Sequence, residues 1–115
     1  MRFFTGKRST HRCEVMVDGQ PLDPRIDLRL YSDQGFEWGY DGAGPRQLSV
    51  AILAAHFSEP AAALEHHRRF LSNWVIAMRE DVWSLDTTDI DRALNEVVEV
   101  PMTLEQLLNK VRGVE

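Results

Sequence analysis

GFEWGYDGAGPRQLSVAILAAHF, from Gly35 to Phe57, is the stretch whose reading decides the fold. Phe36, Trp38 and Tyr40 fall at period two, so in an extended chain they share one face while Glu37, Gly39 and Asp41 take the other. That alternation predicts a half-buried strand. Gly42 and Gly44 then supply a tight turn, and Pro45 suits the first position of a helix, where its missing N–H costs nothing. Beyond it Leu48, Ile52 and Ala55 form one helical stripe, widened by Ala51, Leu53 and Phe57, which predicts a helix of about 13 residues packed on the aromatic face.

Toward the N-terminus, Arg2 to Thr5 and Glu14 to Val17 read as two short strands able to pair antiparallel across a basic loop at Lys7 to Arg12. Asp18-Gly19 is a strong turn signal, and the prolines at 21 and 24 keep the next segment at an edge. Ile26, Leu28 and Leu30 alternate with Asp27, Arg29 and Tyr31, predicting a further strand that Ser32 to Gly35 ends.

Toward the C-terminus, Ser58-Glu59-Pro60 opens a second helix. The recurrence of Leu64, His67, Leu71, Trp74, Val75 and Met78 predicts either one helix from Pro60 to Met78 or a break near Asn73 followed by a short strand. Trp83 and Leu85 precede Asp86-Thr87-Thr88, which caps a third helix carrying Ile90, Leu94, Val97 and Val98. Pro101 ends that helix, and Thr103 with Gln106 opens a fourth, closed by Gly113. The fold class is α+β: one domain over residues 1–115, a small mainly antiparallel sheet from a β-rich half (1–41) packed against three to four helices from a helical half (45–112).

The 115 residues suffice for a core without staples, and no apolar run is long enough to cross a bilayer. One cysteine, Cys13, rules out an internal disulfide and fits a reducing, cytoplasmic setting. Net charge is −5 and uneven: between Glu80 and Glu105 eight carboxylates face only Arg92. That balance argues against a protein that tracks duplexes and points to a basic partner, with Glu80, Asp81, Asp86, Asp89, Asp91 and Glu96 as the binding residues. Nucleic acid would be met instead through Lys7, Arg8, Arg12 and Arg46.

The glycine turn resembles an anion site, with Tyr40, Gly42, Gly44 and Arg46 as candidate ligands. The dinucleotide fingerprint, however, lacks its third glycine, Gln47 standing there, and Asp41 repels anions. Glu37 and Asp41 lie about 13 Å apart along a strand, too far for paired-carboxylate hydrolysis, unless the turn folds Asp41 back toward Glu37 and Tyr40. His11 and Cys13 make a metal pair without further ligands. His56, His66 and His67 read as surface or boundary residues, since no zinc-helix spacing occurs. No catalytic residue, metal or cofactor is expected. Trp38, Tyr40, Trp74 and Trp83 read as core, with Tyr40 the most exposed beside its turn.

With those residues on the page, GFEWGYDGAGPRQLSVAIL resembles the signature of a small uncharacterised domain family of bacteria, archaea and phages, GFEWGY-x-G-x-GP-x-QL. The likeness runs from about Asp27 to Leu94 and includes Trp83, Leu85, Asp89 and Ile90. It implies no established activity. Small acidic proteins of mobile elements often block host nucleic-acid machinery, so three expectations stand. The first is a non-enzymatic, anti-CRISPR-like interaction protein meeting a basic host protein or nucleoprotein. The second is a phosphate, nucleotide or single-strand module built on the glycine turn and Arg46, and the third an enzyme built on Glu37, Tyr40 and Asp41.

Overall fold

The computed structural model describes residues 2–99 of the chain, and the side chains of residues 2–95. Four strands and three α-helices follow one another as β1 (Phe3–Arg8), β2 (Cys13–Val17), β3 (Gln20–Pro21), α1 (Ala43–His56), α2 (Pro60–Phe70), β4 (Val82–Asp86) and α3 (Thr87–Glu99). The class is α+β. The sheet is antiparallel with order β3-β2-β1-β4, so the first strand is flanked by the second and by the last.

β1 and β2 pair as their composition predicts, Phe4 opposite Val17 and Arg8 opposite Cys13, and Lys7 and Arg8 extend the strand instead of looping. Asp18 and Gly19 take positive φ, 51° and 82°, the geometry that a two-residue hairpin turn requires. The strand that sequence does not anticipate is β4. Leu85 opposite Phe4 and Trp83 opposite Gly6 close the sheet across nearly the whole chain. A Cβ on Gly6 would lie 2.1 Å from Trp83 Cε2, so the bare backbone there admits the indole.

Two predicted strands are absent. Residues 36–41 are irregular because Gly35 and Gly39 adopt φ of 112° and 92°, which breaks any extended run. Their backbone groups pair elsewhere: Gly39 N–H donates to Val75 O at 2.9 Å, and Trp38 O accepts from the Arg8 guanidinium at 2.7 Å. Trp38 is buried, Phe36 half-buried and Tyr40 exposed, so the alternation plugs the core from a loop. Residues 26–31 likewise form a turn. Arg25 N–H donates to Asp23 Oδ1 and Leu28 N–H to Arg25 O, which curls the chain and leaves Ile26 and Leu30 exposed.

α1 is the central helix. From Gln47 to Leu53 each residue is buried, so this helix is enclosed by the rest of the fold. It begins at Ala43, two residues before Pro45, which still sits in the first turn where no N–H is needed. α2 passes into a π-helical turn, Leu71–Val75, near the break foreseen at Asn73, but a strand does not follow at once. The aromatic core threads from Arg8, 4.7 Å over Trp38, through edge-on Trp83 to Trp74 and Phe70. α3 opens with reciprocal bonds in which Asp89 N–H donates to Asp86 Oδ1 at 2.9 Å and Asp86 N–H to Asp89 Oδ2 at 3.0 Å. The expected helix after Pro101 lies outside the described residues.

Candidate functional site

Gln47, at the second turn of α1, is fully buried and makes four hydrogen bonds to a loop that contributes nothing to the sheet. Its Oε1 accepts from Tyr31 N–H at 2.7 Å and Ser32 N–H at 3.0 Å. Its Nε2 donates to Pro24 O at 2.6 Å and Arg29 O at 3.0 Å. The irregular segment from 24 to 32 is therefore fastened by one amide, and Tyr31 is delivered against α2.

There Tyr31 Oη lies 2.9 Å from His67 Nε2, while His67 Nδ1 lies 2.8 Å from Leu64 O. A carbonyl only accepts, so Nδ1 carries the proton and Nε2 accepts from the phenol. His67 is buried, which pushes its pKa down, and Arg29, Arg68 and Arg46 push it further; the bond to Leu64 opposes them. The imidazole is neutral at pH 7. Above it opens a cleft of about 230 Å³ lined by Tyr31, Asp41, Arg46, His67, Arg68 and Ser72, with Leu71 behind. Arg29 and Arg46 each stand 5.9 Å from the Tyr31 ring. Arg46 also holds Asp41 through two bonds, 2.9 and 3.2 Å, and that guanidinium keeps the Asp41 carboxyl below the usual range.

The glycine turn is not part of this cleft. A Cβ on Gly44 would meet Glu37 Cβ at 2.9 Å, and one on Gly42 would meet the Tyr40 ring at 2.7 Å. Those glycines make room for the residues packed over the helix start, so the cradle expected at Tyr40, Gly42 and Gly44 is filled by the chain itself. Of the four anion candidates Arg46 lines this cleft, and Tyr40, Gly42 and Gly44 do not.

The other expected sites divide in the same way. Glu37 reaches Arg8 at 3.6 Å and neighbours Tyr40 and Cys13, whose thiol is pushed up by burial first and by Glu37 second. Asp41 instead belongs to Arg46, so Glu37, Tyr40 and Asp41 do not gather around one pocket. Arg8 is spent internally, on Trp38 O, Asp81 and Glu37, and Arg12 pairs with Glu14. Lys7 and Arg12 are exposed or partly so on the sheet's basic end. Among the described residues no group of three or more His, Cys, Asp or Glu is placed to hold a metal ion. His67, expected near the surface, is in the core, and His56 bonds Asp91 at 3.1 Å.

The acidic candidates have internal partners too. Asp81 holds Arg8, Asp86 and Asp89 lock the start of α3, and Asp91 meets His56. Glu80 is exposed while its carbonyl accepts from Trp38 Nε1 at 2.8 Å. Glu96 lies on α3, its side chain outside the described residues.

These carboxylates border the free edge of β4. Arg8 N–H donates to Asp81 O at 2.7 Å, and with the register of Gly6 on Trp83 this assigns the inward backbone groups to Asp81, Trp83 and Leu85. Val82 and Ser84 therefore turn their N–H and C=O groups outward. Among the described residues nothing pairs with them, and Val82 is 66% exposed. Beside Ser84 and Leu85 runs a groove of about 250 Å³ bounded by Trp74, Asp89, Arg92 and Ala93.

Fold and sites together define a small α+β domain with a guanidinium-lined cleft on one helix pair and an open, acid-flanked sheet edge. The chain belongs to DUF6166, a family of unknown function, which matches residues 4–96. No curated protein and no solved structure matches it. Among the described residues no helix is long and apolar enough to cross a membrane.

Proposed function

We propose that this chain is a small acidic interaction protein without catalysis of its own, one that receives an extended basic segment of a protein or nucleoprotein partner along β4. The observation that carries the reading is the outward edge at Val82 and Ser84, with Glu80 and Asp81 at one end and Asp86 at the other. Main-chain pairing supplies affinity at such an edge, and flanking carboxylates select a cationic partner. By contrast the opposite edge of the sheet is only two residues long and contains Pro21, a usual guard against strand addition.

In its finer form the proposal is an inhibitor of the phage or plasmid kind, anti-CRISPR-like, occupying a basic host surface in the cytoplasm. The acidic balance and the lone cysteine support that form. Since Asp86 and Asp89 cap α3, reversing them would disturb folding and binding together, and Glu80 and Ser84 are the cleaner probes.

The test uses wild-type, Ser84→Pro and Glu80→Lys proteins as bait in host lysate treated with nuclease. Proline at 84 removes an outward donor and leaves the β1 ladder intact. The expected result is a stoichiometric partner, displaced by salt, that both variants lose while their circular dichroism stays native. A partner retained equally by all three baits overturns the reading.

A further inference from the structure

The strongest feature that the interaction reading leaves unused is the cleft beneath Tyr31. We propose that it is a binding site for a small phosphate monoester, held by Arg46 and Arg68 with the hydroxyl of Ser72. This goes beyond the β4 reading and is independent of it.

The charge distribution makes the case. A chain of net charge −5 assembles Arg29, Arg46 and Arg68 around one phenol and one imidazole, with Asp41 the sole acid among the described residues that line the cleft. Burial does most to hold His67 in its neutral form, and all three guanidinium groups add to it. Asp41 compensates part of the Arg46 charge, and Arg29 and Arg68 leave an excess of positive charge that an entering anion offsets. Arg46 has already been turned toward the cleft by its two bonds to Asp41 and by the Tyr31 ring. The Arg68 guanidinium has no hydrogen-bond or ion-pair partner among the described residues, and Arg68 sits in the last turn of α2. A planar guanidinium offering two parallel N–H groups suits phosphate better than a point charge does.

The local backbone adds an independent reason. After α2 ends at Phe70 the helix widens into the π turn Leu71–Val75, and Leu71 and Ser72, its first two residues, line the cleft. One extra residue per turn re-aims side chains, and such bulges recur at functional sites. Ser72 stands four residues after Arg68, the spacing that puts two side chains on one helix face, and both line the cleft. The floor is equally defined. His67 Nε2 is occupied by the Tyr31 hydroxyl, whose own oxygen also accepts from Arg29 at 3.3 Å, so the phenol is fixed and presents a surface with no free acceptor. An anion meets donors and only one carboxylate. A volume of about 230 Å³ exceeds bare phosphate and admits an attached organic group of modest size.

The test titrates the full chain with inorganic phosphate and with a nucleoside 5′-monophosphate against chloride at matched ionic strength, by calorimetry and by imidazole NMR. Saturable phosphate binding is expected, and the His67 ring resonances should move with its pKa rising, because the ligand neutralises the arginines that depress it. Tighter binding of the nucleotide identifies an ester ligand; equal binding restricts the site to free phosphate and overturns the monoester assignment. Arg68→Gln, at an exposed position, should weaken binding at least about tenfold with the fold unchanged. Arg46→Gln should do the same and releases Asp41 as well. No saturable binding, or binding that survives both substitutions, overturns the site.

Discussion

Replacing Gln47 with leucine removes one amide of nearly equal volume from the middle of the fold. The apolar contacts of the second turn of α1 survive the exchange. What is lost is four hydrogen bonds, two given and two received, that fasten residues 24–32. A buried group left without a partner costs about 1–3 kcal/mol; Pro24 and Arg29 are exposed and Tyr31 and Ser32 only half-buried, so the lower end applies to all four. Four such losses, less the roughly 1 kcal/mol that leucine gains by burial, leave a destabilisation of about 3 kcal/mol. In a chain of 115 residues that is a fall of about 12 °C in Tm. Urea unfolding of the two proteins measures the difference, and amide exchange locates it. The Tyr31 and Ser32 amides, whose only acceptor in the described structure is Gln47, should lose protection before the sheet does. A loss below about 1 kcal/mol, with those two amides as protected as before, would refute the view that a single side chain fastens the loop.

Two further expectations concern the core and the pH response. Gly6→Ala drives a methyl group to within 2.1 Å of the Trp83 indole and should cost more than about 3 kcal/mol in urea unfolding. Adding Trp83→Leu should recover part of that loss, since the clash then disappears; a double variant no better than the sum of its parts counts against it. His67 has a folded pKa below its ordinary 6.5, so the unfolded chain takes up a proton first as acid is added. The stability it contributes is therefore complete above pH 6.5 and is lost as pH falls from there through the folded value. Unfolding free energies at a series of pH values should show a downward slope in that window that His67→Gln reduces, and identical slopes would dismiss it.

The parts of the fold visible in the sequence are those set by local chemistry. Asp18-Gly19 dictates its turn wherever it occurs, the apolar run after Pro45 has only a helical solution, and Asp86 with Asp89 caps whatever helix follows. Elsewhere local chemistry has more than one outcome. Phe36, Trp38 and Tyr40 at period two suit a strand, yet two glycines at positive φ let the same alternation serve a loop that drives Trp38 inward. Trp83 and Leu85 alternate with Ser84 and Asp86 as a strand should. The partner strand, however, begins at Phe3, and pairing at that separation leaves no mark between them. For the candidate sites the difficulty lay in side-chain direction. Arg46 was readable as a cation near a helix start, but the glycines beside it serve close packing, and the cleft it lines is completed by Tyr31 and Arg68. Gln47, which breaks a dinucleotide fingerprint, proves to be the residue that positions Tyr31. The divergence of adjacent histidines on a helix was visible, and the stripe joining His67 to Leu64 and Leu71 marked it as the inward one, although the histidines as a group read as surface or boundary residues.

The place of β1 between β2 and β4 has a consequence for how the protein is made. The hairpin of the first two strands is synthesised before the rest of the sheet and helices described here and can pair at once. Its other side must wait for residues 82–86, after α1 and α2 have been synthesised. Until then the even-numbered positions of β1, Phe4 and Gly6 among them, present an unfilled edge to whatever is near. Completion of the sheet is thus a late, long-range closure, and a sequence so arranged gains from fast elongation through its helices and from chaperones that shield a nascent edge.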